Sequence, residues 1–199
     1  IESYETCAEV AETLKQITDE LGINYVFKSS FDKANRSSID SERGAGMASG
    51  LKVLAKIKEN YHVPIVTDVH EPYQCEPVAE VADVLQIPAY LSRQTDLLLA
   101  AGKTGRVVNI KKAQFMAPED IQTAVDKVAT SNPHILVTER GTMFGYHQLV
   151  VDMTSLIQMR ETGYPVIFDA THSVQVPSGY GNHSGGNRYY SFPLMRAAL

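Results

Sequence analysis

This sequence of 199 residues has few cysteines, no excess of positive charge and no long apolar run. The two cysteines, Cys7 and Cys75, are too few for a disulfide framework, which fits a reduced, cytoplasmic setting. A net charge of -5 argues against nonspecific binding to nucleic acid or to an acidic membrane surface. No apolar stretch approaches the ~20 residues needed to cross a bilayer, so we expect no membrane association.

Several motifs of common enzyme classes are also missing. There is no Gly-x-Ser-x-Gly elbow, which removes the support for Ser/His/Asp catalysis. Neither a Gly-x-Gly-x-x-Gly motif after the first strand nor a Walker-type loop is present, so a nucleotide-binding doubly wound sheet is not indicated. We find no internal repeats and no low-complexity linkers.

Six short apolar runs, each followed by charged or amide side chains, alternate with helical patterns. The runs and their polar ends occupy residues 25–38, 65–71, 84–88, 107–112, 135–140 and 166–172. Helices are predicted over residues 6–21, 44–59, 72–81, 95–101 and 153–161, from residue 118, and over residues 193–199. Such alternation predicts βαβ units and a parallel sheet, and continuous apolar runs are typical of strands buried on both sides.

The predicted fold is therefore α/β, with an eight-stranded (β/α)8 TIM barrel favoured over an open doubly wound sheet. A barrel needs one strand before Ile1 and one after Leu199, and the usual barrel length of ~250 residues agrees with that. We expect residues 1–199 to form a single TIM-barrel domain, partial at both ends. The sequence shows no basic-then-apolar leader. Its first residue is Ile rather than Met, which also suggests a chain cut short.

The first helix is predicted to be amphipathic. Val10, Leu14, Ile17 and Leu21 are spaced to form one apolar stripe, which we expect to face the core. Cys7 lies on the same stripe and is interpreted as a packing residue, as is Cys75. Gly22 is a natural stop signal for the helix.

Cations recur at the strand ends. The loop after the first strand carries Lys28, Lys33 and Arg36, and further cations follow two later strands at Lys111, Lys112 and Arg140. Ammonium and guanidinium groups make strong hydrogen bonds to phosphate and carboxylate. In a barrel the carboxyl ends of the strands form the active site. These cations therefore suit a set of substrates that together carry more than one phosphate.

A carboxylate and two imidazoles lie near the same strand ends. Asp68 and His70 are two residues apart and share one face, and the same alternation pairs Asp169 with Thr171 and Ala170 with His172. These groups could bind a divalent metal or move protons. Residues 141–146 are either a specificity loop or a turn with a packed aromatic, and residues 177–187 read as a mobile loop.

Taken together, these strand-end segments closely resemble the 3-deoxy-D-manno-octulosonate 8-phosphate synthase family. The matching segments are FKSSFDKANRSS (27–38), TDVHE (67–71), QIPAYLSRQTDLL (86–98), NIKKAQF (109–115), ERG (139–141), FGY (144–146) and DATHSVQ (169–175). The resemblance covers essentially the whole chain. It implies a transferase that condenses phosphoenolpyruvate with arabinose 5-phosphate and water in lipopolysaccharide biosynthesis, on a cytoplasmic homotetramer of TIM barrels.

The resemblance also implies roles for individual residues. Positions around phosphoenolpyruvate are matched by Lys28, Lys33, Lys111, Gln114, Arg140 and His172. Positions that hold the sugar phosphate, across a subunit boundary, are matched by Asn35, Arg36 and Ser37. Other site-lining positions are matched by Asp68, Gln86, Pro88 and Ala89. We expect Lys33, Lys111, Asp68 and His172 to be catalytic, with Asp68 and His172 handling protons.

The family includes metal-dependent and metal-independent members, so the cofactor is either none or one divalent metal ion. His172 matches the only metal ligand within the chain, and the forms of residues 138–142 and 177–179 favour the metal-dependent type. Three rival functions stay open at this point. They are a related phosphoenolpyruvate-dependent synthase with another aldose acceptor, a metal-dependent TIM-barrel hydrolase, and a non-catalytic sugar-phosphate-binding barrel.

Overall fold

The computed structural model describes residues 1–36, 38–177 and 184–199, and a parallel sheet forms its centre. The strands are β1 Phe27–Lys28, β2 Ile65–Asp68, β3 Val84–Ile87, β4 Val107–Lys111, β5 Ile135–Glu139, β6 Thr142–Met143, β7 Leu149–Val150, β8 Val166–Phe168, β9 Gln175–Val176 and β10 Gly185–Gly186. Six of them form the parallel sheet in the order β1-β2-β3-β4-β5-β8. The pairs β6–β7 and β9–β10 are short antiparallel ladders. The predicted α/β class with six parallel strands is thus confirmed.

The strand order contains no reversal. Because crossovers between parallel strands are right-handed in nearly all proteins, an order of this kind places every connecting helix on the same face of the sheet. An open doubly wound sheet instead reverses its order at a switch point. The six strands therefore form a half-barrel compatible with a TIM-barrel-like fold.

Seven α-helices follow or precede these strands in the described residues. They are α1 Tyr4–Leu21, α2 Met47–Tyr61, α3 Cys75–Ala79, α4 Thr95–Lys103, α5 Gln122–Ala129, α6 Thr154–Arg160 and α7 Ser191–Ala198. Neighbouring helices pack on one another, α1 on α2, α3 on α4 and α4 on α5. None of the helices in the described residues has the length and apolar character needed to span a membrane.

The core lies between the strands and the helices. Its largest fully buried apolar side chains include Leu54 and Ile57 of α2 and Ile65, Leu85 and Ile110 of the central strands. Cys7 and Cys75 are both buried within this core, as predicted. Burial raises the pKa of the Cys75 thiol to about 11, so this residue is inert packing rather than a nucleophile.

The prediction for the buried face of α1 is wrong. Val10, Leu14, Ile17 and Leu21 are between 40% and 66% exposed, whereas the buried residues of the helix are Cys7 and Ala11. The helix packs on α2, its Cys7 and Ala11 face the core, and its larger apolar stripe is turned outward. The end of α1 at Gly22 is as predicted, with a left-handed φ of 65°.

The segment between β1 and α2 is longer than predicted, because α2 begins at Met47 and not at Gly44. Gly44 and Gly46 have φ values of 114° and 76°, which a helix cannot contain. A Cβ on Gly44 would lie 2.9 Å from the backbone oxygen of Phe31. Lys33 N donates to Arg43 O at 2.6 Å, so this tight return path holds the loop after β1 in place.

The remaining differences concern short elements. The helices predicted at residue 72 and from residue 118 each open with a 3-10 turn, at Pro72–Gln74 and Pro118–Ile121. Residues 141–146 belong to the β6–β7 hairpin. The predicted loop at residues 177–187 contains β10, which pairs with β9, and its residues 178–183 lie outside the described residues.

Candidate active site

The carboxyl ends of the parallel strands surround one open cavity of about 720 Å³. That volume is typical of a small-molecule site. All the predicted site residues that the structure describes, except Lys112, line it, namely Lys28, Lys33, Asn35, Arg36, Asp68, Gln86, Pro88, Ala89, Lys111, Gln114, Arg140 and His172. The predicted sugar-phosphate residue Ser37 lies outside the described residues. His70 also lines the cavity, with its ring edge-on to Phe31.

A chain of hydrogen bonds runs across the ends of four strands. Gln86 Nε2 donates to Asp68 Oδ1 at 2.6 Å, and Asn109 Nδ2 donates to Gln86 Oε1 at 3.0 Å. Thr138 Oγ1 then donates to Asn109 Oδ1 at 2.7 Å. All four side chains are buried, so this cross-strand chain gives the cavity a fixed polar floor.

Asp68 also joins this floor to Lys28. Lys28 Nζ lies 2.8 Å from Asp68 Oδ2, and the Ser30 hydroxyl donates to the same oxygen. Burial by itself would raise the pKa of Asp68. The Lys28 charge and the donors from Lys28, Ser30 and Gln86 outweigh that effect and hold the pKa well below its usual range. Asp68 is therefore a permanent carboxylate at neutral pH.

Lys111 reaches the cavity from the end of β4. It is 7% exposed, and its ammonium is paired with Asp169. Burial lowers the pKa of Lys111 and Asp169 opposes that shift. Burial would raise the pKa of Asp169, but the His172 hydrogen bond and the Lys111 charge hold it far below its usual range. Each side chain therefore stabilises the ionised form of the other.

The facing predicted for residues 169–172 is wrong, because β8 ends at Phe168 and strand alternation stops there. His172 lies in a 3-10 turn, and its Nδ1 is 2.7 Å from Asp169 Oδ2. The backbone N–H of His172 also donates to Asp169 Oδ1 at 3.0 Å. Asp169 thus fixes the imidazole so that Nε2 is the ring nitrogen available to a ligand.

Arg140 is the most conspicuous donor in the cavity. It is 6% exposed, and within the described part of the chain its Nη2 donates one hydrogen bond, to Gln175 Oε1 at 3.1 Å. Its buried Nε and Nη1 have no partner among the described residues, and Gln114 Oε1 nearby has none either. An unpaired buried guanidinium is costly. Its fork geometry matches a carboxylate or a phosphate, so an anion is the ligand that this part of the cavity is built for.

The other side of the cavity is more open. Asn35 and Arg36 are exposed on the loop after β1, and Lys33 is half-buried beside them. Burial lowers the pKa of Lys33, and the charges of Lys28 and Arg36 add to that shift while Asp68 opposes it. A bound anion would relieve this mutual repulsion between cations.

Lys112 was expected among the cations of the cavity mouth, and that expectation is wrong. Its side chain is fully buried behind the cavity, where Nζ lies 3.7 Å from Glu139 Oε2. Lys111 and Lys112 point in opposite directions because successive side chains alternate at the end of β4. Only Lys111 is available to a substrate.

Three residues at the site escaped the sequence-based assignment. Ser30 binds Asp68, Asp169 binds Lys111 and His172, and Gln175 binds Arg140. A carboxylate at the end of β8 was a usable signal for Asp169. Nothing in the spacing marks Ser30 or Gln175, since each acts through a neighbouring ionic side chain.

The described residues contain no group of three or more His, Cys, Asp or Glu side chains that could hold a metal ion. Of the ligands expected from the sequence, His172 alone lies among them, with Nε2 free to coordinate. One imidazole does not make a metal site.

Comparison with known proteins identifies relatives along the whole chain. The model of the DAHP synthetase I family matches residues 1–199. A protein of Fusobacterium nucleatum is 58% identical over all of this chain and 72% of its own length. Relatives from a Cyanothece species and from Shewanella sp. strain MR-4 are 59% and 50% identical, over all of this chain and 73% and 71% of theirs. Each of these three is named 2-dehydro-3-deoxyphosphooctonate aldolase.

Proposed function

This chain belongs to the DAHP synthetase I family, and we propose that it makes 2-dehydro-3-deoxyphosphooctonate, the compound for which its relatives are named. The compound is 3-deoxy-D-manno-octulosonate 8-phosphate. The substrates are phosphoenolpyruvate, arabinose 5-phosphate and water, and the second product is inorganic phosphate. The observation that carries the proposal is the buried, partly unpaired guanidinium of Arg140, together with Lys111, in a cavity that holds further cations.

The reaction joins two anions that repel each other in water. C3 of the enol attacks the aldehyde carbon of the sugar phosphate, and the aldehyde oxygen takes up a proton. Water adds to C2, where positive charge develops, and loses a proton. The resulting hemiketal phosphate breaks its C2–O bond, which releases inorganic phosphate and leaves the 2-oxo acid.

Phosphoenolpyruvate occupies the buried side of the cavity. Arg140 and Lys111 take its carboxylate and phosphate, while Lys28 and Lys33 add charge and Gln114 adds an amide. Because these groups already stand in place without substrate, they need little reorganisation when charge develops. Holding the enol at a fixed distance from the aldehyde supplies much of the remaining rate.

Arabinose 5-phosphate occupies the open side. Arg36 forms the charge contact to its phosphate, and Asn35 and Ser37 donate neutral hydrogen bonds. Pro88 and Ala89, at the start of the 3-10 turn Ala89–Leu91, form a wall beside it with Gln86 at the base. This placement orients the aldehyde toward C3 of the enol.

Proton transfer falls to His172 rather than Asp68. The sequence suggested both, but the depressed pKa of Asp68 suits a fixed carboxylate that holds Lys28 and Gln86. His172 is about half exposed at the cavity edge, with Nδ1 held by Asp169 and Nε2 free. An imidazole in that setting can give or take a proton, directly or through water.

The whole protein is a closed (β/α)8 barrel that forms one domain. The two outer strands of the half-barrel leave apolar side chains uncovered, Val26 beside β1 at 43% and Ile167 in β8 at 38%. The relatives are longer than this chain, and further strands and helices of a barrel would cover both edges. We also place the enzyme in the cytoplasm as a homotetramer, in which the exposed loop with Arg36 meets a neighbouring subunit.

Dependence on one divalent metal belongs to this proposal as well. His172 would be one ligand, through Nε2, and the described residues do not supply the others. We assign no step of the reaction to the metal. Loss of activity in a chelator, with recovery on adding back a divalent ion, is the expected result.

Phosphoenolpyruvate labelled with 18O in its bridging C–O–P oxygen tests the reaction in the full-length protein supplied with divalent metal. Phosphate should appear only when arabinose 5-phosphate is present, and the label should leave with it, because the C2–O bond breaks. Release without the sugar, with label left in pyruvate, would instead indicate hydrolysis at phosphorus. Turnover with another aldose phosphate and none with arabinose 5-phosphate would assign a related synthase, and binding without turnover would contradict catalysis.

A further inference from the structure

Two adjacent strand ends carry the buried anion-binding residues, and the same two ends carry an ion pair on their reverse side. Lys112 directly follows Lys111, and Glu139 directly precedes Arg140. Lys112 is 0% exposed and Glu139 is 1% exposed, and neither reaches the cavity. We propose that Lys112 and Glu139 are positioning residues. They set the distance between Lys111 and Gln114, at and just after the end of β4, and Arg140, just after the end of β5.

Lys112 holds the loop that contains Gln114. Its Nζ donates to Ala113 O and to Met116 O, both at 3.3 Å. These carbonyls lie on either side of Gln114 in the chain, so one buried ammonium fixes the turn from which Gln114 enters the cavity. The backbone N–H of Lys112 also donates to Thr138 O at 2.8 Å, which continues the β4–β5 ladder beyond the strand.

Glu139 holds the loop that contains Arg140. Its Oε1 accepts from Gly141 N at 2.5 Å, and its Oε2 accepts from the Ser155 hydroxyl at 2.9 Å. The Gly141 contact spans Arg140, because the carboxylate and the N–H it binds belong to the residues on either side. Gly141 has a φ of 91°, so the chain turns sharply directly after Arg140.

The pair also joins the two loops to each other. Lys112 Nζ lies 3.7 Å from Glu139 Oε2 and donates to Thr142 Oγ1 at 3.1 Å. Met143 N donates to Gln114 O at 2.8 Å and adds a backbone link between the same two loops. The Lys112–Glu139 pair and these links therefore form one clamp behind the cavity.

A purely stabilising role explains this arrangement less well. A buried ion pair is weak evidence for stability, since apolar side chains of similar size often serve as well. An apolar side chain at position 112 would fill the space but could not fix two loop carbonyls and the Thr142 hydroxyl. The charges fix the position of one loop relative to the other. A misplacement of catalytic groups by about 1 Å can cost on the order of 10²-fold in rate.

The clamp rests on the proposed function, because it places groups assigned to phosphoenolpyruvate. The test is the double variant K112M/E139Q in the full-length protein, which removes both charges and keeps an oxygen acceptor for Gly141 N. We expect a KM for phosphoenolpyruvate raised about tenfold, with the KM for arabinose 5-phosphate changed by less than about twofold. If the pair were merely structural, its removal would lower the melting temperature and change the KM values for the two substrates by the same factor.

The matched control is K58M/D83N, which neutralises an ion pair at the opposite end of the sheet. Lys58 Nζ lies 2.7 Å from Asp83 Oδ1, and Asp83 Oδ2 accepts from Ile65 N at 2.9 Å. This variant should lose some stability, while its KM for both substrates stays within about twofold of wild type.

An unchanged KM for phosphoenolpyruvate in folded K112M/E139Q would overturn the clamp, and so would an equal rise for both substrates. If the double variant does not fold, T142V removes one Lys112 contact with little change of shape. It should raise that KM about threefold, and no change would overturn the clamp equally. If wild type binds phosphoenolpyruvate but forms no product, the proposed function fails, and the dissociation constants of the same variants still test the clamp.

Discussion

Lys111 and Arg140 enter the cavity from the ends of two adjacent strands and are almost completely buried, whereas Asn35 and Arg36 stand exposed on the loop after β1. On the buried side each ionic group has a partner of its own, Asp169 for Lys111 and Gln175 for Arg140. The exposed side is held mainly by backbone bonds and by the Arg43–Asp32 ion pair. The two sides of the cavity are therefore built with different rigidity.

This difference suggests how the two substrates are received. The buried side is preformed and lacks only an anion, so phosphoenolpyruvate needs no large rearrangement there. On the exposed side Arg36 stands on an exposed loop with little surrounding structure, so we expect arabinose 5-phosphate to depend on contacts from its co-substrate. Each substitution below should weaken one side and leave the other intact.

The largest effect is expected for Arg140→Ala. It removes the guanidinium whose buried Nε and Nη1 have no partner among the described residues, and we expect kcat/KM for phosphoenolpyruvate to fall on the order of 10³-fold. Steady-state kinetics with each substrate varied in turn will measure the loss. The KM for arabinose 5-phosphate should change little. If the KM values for both substrates rise by a similar factor, the two sides of the cavity are not independent.

Asp169→Asn should produce the next largest effect. The variant weakens the hold on Lys111 and on the His172 ring together, and we expect kcat to fall about 10- to 100-fold. The pH profile of kcat is the informative measurement. Asp169 opposes the burial that lowers the pKa of Lys111, so its removal should make the loss of kcat larger toward alkaline pH. Retention of the wild-type kcat would refute the role assigned to Asp169.

Arg36→Ala tests the exposed side. Removal of the proposed phosphate contact should raise the KM for arabinose 5-phosphate about tenfold, because one charge-assisted hydrogen bond is lost. The binding of phosphoenolpyruvate should be unchanged. Arg36→Lys should recover most of the loss because an exposed loop can adjust to the shorter side chain. By contrast, Arg140→Lys should recover little, because the buried fork has a fixed geometry.

The smallest effect is expected on the stability of the fold, and it becomes visible in acid. The pKa of Asp68 is depressed in the folded protein, so its contribution to stability is fully present above the unfolded value of 3.8 and is lost as pH falls toward the folded value. The free energy of unfolding of the wild type should therefore fall steeply in acid. Asp68→Asn should have a lower free energy of unfolding at neutral pH, and this value should fall less as the pH is lowered. Asp32→Asn, which removes an exposed ion pair, should follow wild type in denaturant melts across this range.

Much of this architecture could be predicted from the sequence. The predicted runs at β3, β4 and β5 begin at the same residues as the strands and extend one residue past their ends, because strands buried on both faces leave a continuous signal. The polar ends of those strands located the cavity, since parallel strands present their carboxyl ends at one edge. Cavity residues such as Lys111 and Gln86 were identified by that reasoning and by the family resemblance together.

The errors have separate causes. The stripe with Val10 and Leu14 was assigned to the core because periodicity shows that a helix has an apolar face, but not which neighbour covers it. Lys112 was placed in the cavity although alternation at the end of β4 turns it away. The pairing of Asp169 with His172 was missed because the strand rule was applied beyond Phe168, where the chain turns.

The most direct test of the difference between the two sides is calorimetric titration of each substrate alone into the full-length protein. We predict that phosphoenolpyruvate binds by itself and that arabinose 5-phosphate binds at least about tenfold more weakly until the buried side is filled. Tight binding of arabinose 5-phosphate to the free enzyme, or no binding of phosphoenolpyruvate alone, would contradict a preformed anion site at Lys111 and Arg140.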